Sequence, residues 1–286
     1  MNKILYLFII LLVAACSPEV PIPSKKALFS VAEGEKVTFA PSNLQYIVSQ
    51  DKWQFAEHPW SYRGIANLSK PDTVPYFSTE WYSKDNALSD TIDLFCWGAD
   101  AELLPSEEEA YIKKDFKDWG DFIQDKNAKW RTLTSDEWEY LLTERKNANK
   151  LYGVAEVNGV GGIVLLPDGW TQPAQLNVEF IPGWYGCGGT GAWAAHQMFN
   201  KRQWYILQQS GAVFLPAAGK RGYTFSHITD QWDLLVVKEI QTLGNYWTKD
   251  LNIYGEPMTF SFKPNKIQIY SNEAFDGSCV RLVKDK

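Results

Sequence analysis

The chain has 286 residues, of which 45% are hydrophobic and 22% charged, and it carries a net charge of −6 at neutral pH. The length fits one large domain or two small ones, and the composition is that of a globular protein. An acidic balance without basic runs speaks against nucleic acid and against anionic membrane surfaces as partners.

The first element is a targeting signal. One positive charge at Lys3 precedes an apolar run from Ile4 to Ala15, too short to span a bilayer, which takes about 20 residues. It ends in Leu12-Val13-Ala14-Ala15-Cys16. Small residues directly before a cysteine resemble the bacterial lipobox, which predicts cleavage before Cys16 and lipidation of that cysteine. The alternative is an ordinary secretory signal cut near Ala15. Ser17 follows the cysteine, not the Asp that retains lipoproteins at the inner membrane, so the expected location is the outer membrane. Several acyl chains on one cysteine make a stable anchor, at about 0.8 kcal/mol per buried methylene. Residues 17 to 26 hold three prolines and read as an extended tether. Removing the signal takes away Lys3 and no acid, so the net charge moves from −6 to −7. No second long apolar segment follows residue 16.

Short β-rich runs at Leu28–Val31 and Lys36–Phe39 flank Glu33-Gly34 and predict a hairpin; Trp53–Ala56 predicts a third strand. Residues 57 to 125 lack clean periodicity and read as long loops with short helices, a feature often tied to function. Within them, Asp115, Asp118, Asp121 and Asp125 are spaced as on a helix face and not as calcium ligands, so a solvated acidic face is expected.

Thr134 and Glu137 predict a capping box, followed by Trp138, Leu141 and Leu142 at i, i+3 and i+4. That helix should end near Lys146 to Asn149. Tyr152–Val157 and Gly162–Leu166 form a hairpin about Asn158-Gly159, with a turn at Pro167-Asp168-Gly169. A second helix is expected from Asn200 to Ser210. Later strands are expected at Ala212–Leu215, Tyr246–Trp247, Met258–Phe262, Ile267–Tyr270 and Cys279–Val283. Strands, two modest helices and much loop, without βαβ alternation, predict an α+β fold with mostly antiparallel pairing.

Gly186-Cys187-Gly188-Gly189-Thr190-Gly191 matches the dinucleotide pattern of glycines. No buried strand precedes it and no acid stands near residue 211, so it reads as a flexible glycine loop between Trp184, Tyr185 and Trp193. No Ser/His/Asp order, GxSxG or HExxH is present, so no residue is named as catalytic. With Cys16 lipidated, Cys96, Cys187 and Cys279 remain; in an oxidising compartment one pair can bridge and leave one over. The three His are scattered and no metal site is expected. No cofactor is expected; calcium stays open, although no motif for it stands.

The 13 Trp, 14 Tyr and 15 Phe read either as a ring-rich core or as platforms for sugars or proteins. In the second reading the contact residues are Trp60, Tyr62, Trp81, Tyr82, Trp184, Tyr185 and Trp193. Asp72-Thr73-Val74 and Asp90-Thr91-Ile92 resemble an Asp-Ser/Thr-aliphatic O-glycosylation site of exported proteins, which makes Thr73 and Thr91 candidate acceptors in loop-rich chain.

Several segments in order carry a wider resemblance. They include Phe29–Tyr46, Asp93–Gly98, Trp130–Tyr140, Gly162–Trp170, Gly211–Gly219, Tyr246–Thr248 and Val280–Val283. Over roughly residues 28 to 284 the chain resembles exported lipoproteins of gut-type Gram-negative anaerobes. These in turn look like the formylglycine-generating-enzyme/sulfatase-modifying-factor branch of the C-type-lectin-like fold. The resemblance implies one α+β domain from residue 28 to 286 with twisted antiparallel sheets, two helices and long inserted loops. It does not carry an activity with it. The close C-terminal cysteine pair that binds copper in the oxidase branch is absent. So are the Glu-Pro-Asn and Trp-Asn-Asp motifs of calcium-dependent lectins, since Glu256-Pro257-Met258 departs from the first. The expected function is a lipid-anchored surface binding or adhesion module for a glycan or a protein, without catalysis. The alternatives are an oxidase-like enzyme of that branch and a subunit of a fimbria-like surface assembly. The sequence does not give the oligomeric state.

Overall fold

The computed structural model describes residues 27–62, 91–98, 116–126, 129–183, 197–226, 231–274 and 276–286. The fold is α+β with mostly antiparallel sheets: 39% of the described residues are in strands and 16% are helical.

Among the described residues the strands group into five sheets. β1 (Phe29–Ala32) and β2 (Glu35–Phe39) form the first expected hairpin, and β15 (Val283–Asp285) pairs with the other edge of β2. β3 (Leu44–Ile47) lies between β4 (Lys52–Phe55) and β5 (Thr91–Ile92). β6 (Tyr152–Val157) and β7 (Val160–Leu165) form the second hairpin. β8 (Met198–Phe199) joins β6 in parallel, and β9 (Val213–Pro216) joins β7. β10 (Lys220–Ser226) pairs with β11 (Gln231–Lys238). β12 (Gly244–Leu251), β13 (Pro257–Lys263) and β14 (Lys266–Ser271) make the last sheet. The turn between β6 and β7 places both Asn158 and Gly159 at positive φ, 51° and 83°, as a two-residue hairpin with right-handed strand twist demands.

Helix α1 (Ser135–Glu139) starts with the expected capping box: Thr134 Oγ1 accepts from the Glu137 amide, and the Glu137 carboxylate accepts from the Thr134 amide at 2.8 Å. It continues as a π-helical turn over Tyr140–Glu144 and stops at Arg145, a few residues before the expected end. Trp138, Leu141 and Leu142 are all buried. Arg131 grips Glu137 with two hydrogen bonds, at 2.8 and 2.6 Å. Burial works against the Arg131 charge, but hydrogen bonds from Glu137 and Asp285 outweigh it and leave its pKa raised. Helix α2 (Lys201–Gln209) is capped by Asn200 and Gln203 in the same reciprocal way.

Past α1 the chain is fixed by Arg145, which is almost fully buried. It donates to the carbonyls of Leu166 (3.0 Å) and Leu151 (3.1 Å) and to Asp168 (3.3 Å). Asp168 also accepts from Ser30 Oγ at 2.7 Å and from Lys36 at 3.1 Å. The expected turn at Pro167–Gly169 is therefore a junction between α1, β1 and β2.

The main core packs α1 and α2 against β1, β6, β7, β9, β12 and β13, with Trp138, Trp204, Phe214 and Phe260 at its centre. A second core gathers Leu44, Ile92, Phe95, Trp97, Trp119, Trp130 and Trp247. The C-terminal segment is their shared wall: Cys279 and Val283 face the main core, Val280 and Leu282 the second.

The acidic run does not form the expected solvated helix face. Asp118 is the N-cap of a 3₁₀ turn at Trp119–Phe122 and is partly buried. It accepts from the Gly120 amide (3.0 Å), the Thr132 amide (3.1 Å) and the Thr132 hydroxyl (2.9 Å). The turn lies so close to the neighbouring chain that a Cβ on Gly120 would stand 1.9 Å from the Trp130 carbonyl oxygen. The spacing of the acids came from a turn and its cap. Asp115 lies outside the described residues.

Candidate functional site

Two places concentrate groups able to do chemistry or make contacts. The first is internal. It lies where the C-terminal wall meets β12 and the segment after β5: Phe95 and Ser278 exchange backbone hydrogen bonds at 2.9 and 3.0 Å, and Cys279 bonds through its backbone to Asn245 and Trp247. Arg281 is buried here. It donates to Asn43 Oδ1 (3.0 Å), the Ala40 carbonyl (3.1 Å) and the Phe214 carbonyl (2.6 Å). Desolvation lowers its pKa to about 10, opposed by the neighbouring Tyr246 and Cys279. The Tyr246 hydroxyl accepts from Asn43 (3.3 Å) and donates to the Pro216 carbonyl (2.8 Å). Arg221, also buried, donates to Cys96 Sγ at 2.8 Å.

Around Arg281 the polar groups bond to framework. Arg281 joins the end of β2, the start of β3 and β9 to the C-terminal wall, beside the backbone bonds from Ala40 to Leu282 and from Leu44 to Val280. Burial, reinforced by the Asp93 charge, pushes the Cys279 thiol well above its ordinary range. A thiol held protonated is a poor nucleophile and a poor metal ligand.

Cys96 and Cys279 are both buried thiols outside any disulfide, so the bridge open to them on sequence is not formed. With Phe95 opposite Ser278, the two cysteines are diagonal neighbours across the ladder. Such positions are about 7–8 Å apart, beyond the 4.4–6.8 Å between Cα atoms that a disulfide takes. Cys187 lies outside the described residues. Among the described residues no group of three or more His, Cys, Asp or Glu side chains is placed to hold a metal ion. No helix among them is long and apolar enough to cross a membrane.

The second place is the tip of the β12/β13 hairpin. Of six large apolar side chains exposed among the described residues, three fall within four positions here: Leu251 (41%), Ile253 (91%) and Tyr254 (78%). The loop that carries them is held by its own polar groups. Asn252 Oδ1 accepts from the amides of Tyr254 (2.9 Å) and Glu256 (3.0 Å), and Asn252 Nδ2 donates to the Glu256 carboxylate at 2.7 Å. Backbone bonds join Asn252 to Glu256 (2.8 Å) and Gly255 to Asn252 (3.0 Å), with Gly255 at φ +80°. Hydrogen bonds from Ser271 and Asn252 keep the Glu256 carboxyl below its ordinary pKa, so it stays an acceptor. At the root, Asp250 accepts from the Ser135 amide (2.8 Å) and the Ser135 hydroxyl, fixing the hairpin to the N-terminus of α1.

The residues expected from sequence fare differently. Trp60 and Tyr62 do not form an exposed platform: they are 7% and 4% exposed and belong to the main core. Trp60 stacks on His58 with ring centroids 4.9 Å apart. Burial pushes the Tyr62 phenol well above its ordinary pKa, with Asp93 adding to the shift. The apolar drive that buries a ring is the same whether it sits in a helix or a loop, so a loop position did not imply exposure. Thr91 is half-buried in β5, backbone-paired opposite Ile47, and not in a loop. Cys16, Thr73, Trp81, Tyr82, Trp184, Tyr185 and Trp193 lie outside the described residues, as does the glycine run from Gly186 to Gly191.

Sequence reasoning missed the tip. A signal was there: Asn252 and Gly255 bracket two apolar residues between strands, the pattern of a side-chain-braced turn. No family model, curated protein or solved structure matches this chain.

Proposed function

We propose that this protein is a lipid-anchored recognition module of the outer membrane, with a C-type-lectin-like domain that binds a partner and catalyses nothing. Cys16 would carry the acyl chains and residues 17 to 26 the tether. The observation that supports recognition is the hairpin tip, where Ile253 and Tyr254 stand in water on a loop ordered in advance. Ordering the loop beforehand removes an entropy cost from binding. Two exposed apolar side chains on a braced loop have no role in the fold's own packing.

The placement of the tip agrees with this reading. Ala27 and Leu28, where the tether meets the domain, lie by Asp168 at the C-terminal end of α1; the Asp168 amide donates to the Leu28 carbonyl at 2.8 Å. The hairpin root lies at the N-terminal end of the helix, against Ser135. The helical stretch between them is roughly 15 Å long, so the hairpin root and the start of the described domain lie at opposite ends of that helix.

Its chemistry narrows the ligand. Asn252 spends both ends of its amide on the loop, so the tip offers aliphatic and aromatic surface, one phenol and the exposed Glu256 carboxylate. That suits an apolar pocket on a protein. A sugar ring stacked on Tyr254 is the other partner this surface admits. The internal cluster, with its protonated Cys279 and with Arg281 bonded to framework, gives no support to the oxidase-like alternative.

The test is a glycan array, with and without calcium, using residues 27–286 and the double variant Ile253→Ser/Tyr254→Ser. A glycan bound by the parent and weakened at least about tenfold in the variant supports a sugar ligand read by the tip. Binding that is identical in the two proteins sinks the tip as the contact site. No binding to any sugar moves the ligand to a protein.

A further inference from the structure

The sheet β12-β13-β14 has two unlike edges. The outer edge of β12 is closed by the C-terminal wall, through the Trp247 amide to the Cys279 carbonyl (3.0 Å) and the Cys279 amide to the Asn245 carbonyl (2.9 Å). β14 ends the sheet on the other side, and among the described residues no strand pairs with its outer edge. The pairing fixes which groups face outward. The Asn272 amide donates to the Pro257 carbonyl, so the bonding groups of Asn272, Tyr270, Gln268 and Lys266 turn toward β13. The N–H and C=O of Ile267, Ile269 and Ser271 therefore point away from the sheet.

Both faces of β14 are covered. Ile267 and Ile269 pack against the main core, and the Tyr270 hydroxyl donates to Asn245 at 3.2 Å. Half-burial persists from Ile267 to Ser271. Among the described residues the usual protections of an edge strand are missing. β14 holds no proline and one charge, at its first residue. Its ladder with β13 runs through six pairs without a bulge, whereas the β1/β2, β10/β11 and β12/β13 ladders each break register.

The strand is complementary to itself. Ile267-Gln268-Ile269 reads the same in both directions. With a two-fold axis at Gln268, antiparallel pairing sets Ile267 opposite Ile269 of the second copy. Both have outward bonding groups, so they form hydrogen-bonded pairs without any backbone change. Gln268 meets Gln268, and Lys266 faces the ring of Tyr270. We propose that β14 pairs antiparallel with β14 of a second copy of this chain, joining two three-stranded sheets into one of six strands. A two-fold interface of this kind closes on itself and stops at the dimer. The proposal holds whichever ligand the hairpin tip takes: Ser271 bonds Glu256 at the tip, but the two-fold axis lies at Gln268, further along the strand.

The experiment is sedimentation equilibrium of the full chain in density-matched detergent, with Gln268→Lys and Gln268→Glu. The parent should sediment at twice the monomer mass. Each variant alone places like charges opposite one another across the axis and should weaken the dimer about tenfold, while an equal mixture of the two should restore it. Unchanged circular dichroism in both variants excludes a folding defect. A parent that stays monomeric to about 100 μM overturns the proposal. So does a dimer indifferent to both variants, or a mixture that stays monomeric.

Discussion

The internal cluster around Arg281 and the tip around Asn252 use similar side chains for opposite ends. Inside, Asn43, Tyr246 and Arg281 point their polar atoms at one another and at backbone carbonyls, and the result is a closed joint between sheets. At the tip, Asn252 and Glu256 also bond to backbone and to each other, but the result is an open display of Ile253 and Tyr254. Residue type does not separate structure from function here. What separates them is where the apolar neighbours of a satisfied polar group end up.

The largest effect should come from breaking the joint. Arg281→Ala leaves Asn43 Oδ1 and the carbonyls of Ala40 and Phe214 buried without a donor, and should cost about 3–5 kcal/mol in urea unfolding. A loss under about 1 kcal/mol would mean that the cluster is dispensable. Next comes the loop brace: Asn252→Ala should cost about 1 kcal/mol and also weaken ligand binding, by letting the loop disorder. The opposite pattern is expected of Ile253→Ser/Tyr254→Ser, with stability within about 0.5 kcal/mol of the parent and binding lost. If the double variant unfolds easily, the tip belongs to the fold and the contrast collapses.

Smaller effects follow from titration. Burial raises the pKa of Cys279, so the folded protein keeps the thiol protonated while the unfolded chain ionises above about pH 8.5. Its contribution to stability is complete below that pH and falls as the pH rises past it. Cys279→Ala should flatten the alkaline limb of a melting-temperature profile, and a thiol reagent should reach Cys279 only on unfolding. Asp168 behaves in the reverse sense. Burial works against its charge, but hydrogen bonds from Ser30 and Lys36, with Arg145 nearby, win and lower its pKa. Its contribution is present above about pH 4, the unfolded value, and is lost as the pH falls through the lower folded value. Asp168→Asn should remove that part of the acid dependence.

Local signals in the sequence were read well. The capping box at Thr134 and Glu137, the helix from Asn200 and the Asn158-Gly159 turn depend on neighbours a few residues apart, and the structure keeps all three. β3, β10 and β11 escaped notice. Leu44–Ile47 is short, and Lys220–Ser226 opens with two charges and a glycine, so neither has clean alternation; each becomes a strand because a partner lies beside it. The burial of Trp60 and Tyr62 was illegible for a related reason, since only long-range packing decides which loop rings turn inward. Arg281 looked like one charge in a strand, and nothing near it in sequence reveals Asn43 or Phe214 as its acceptors.

The pairing of β2 with β15 bears on the order of assembly. Phe39 lies opposite Val283, so a strand made near the start waits for one of the last. The wall shared by both cores arrives just before it, carrying Arg281. Until then both cores lack that wall, and β2, though already paired with β1, lacks its second neighbour. A chain built this way completes its cores only through pairings between its two ends, the non-local kind of contact that slows folding.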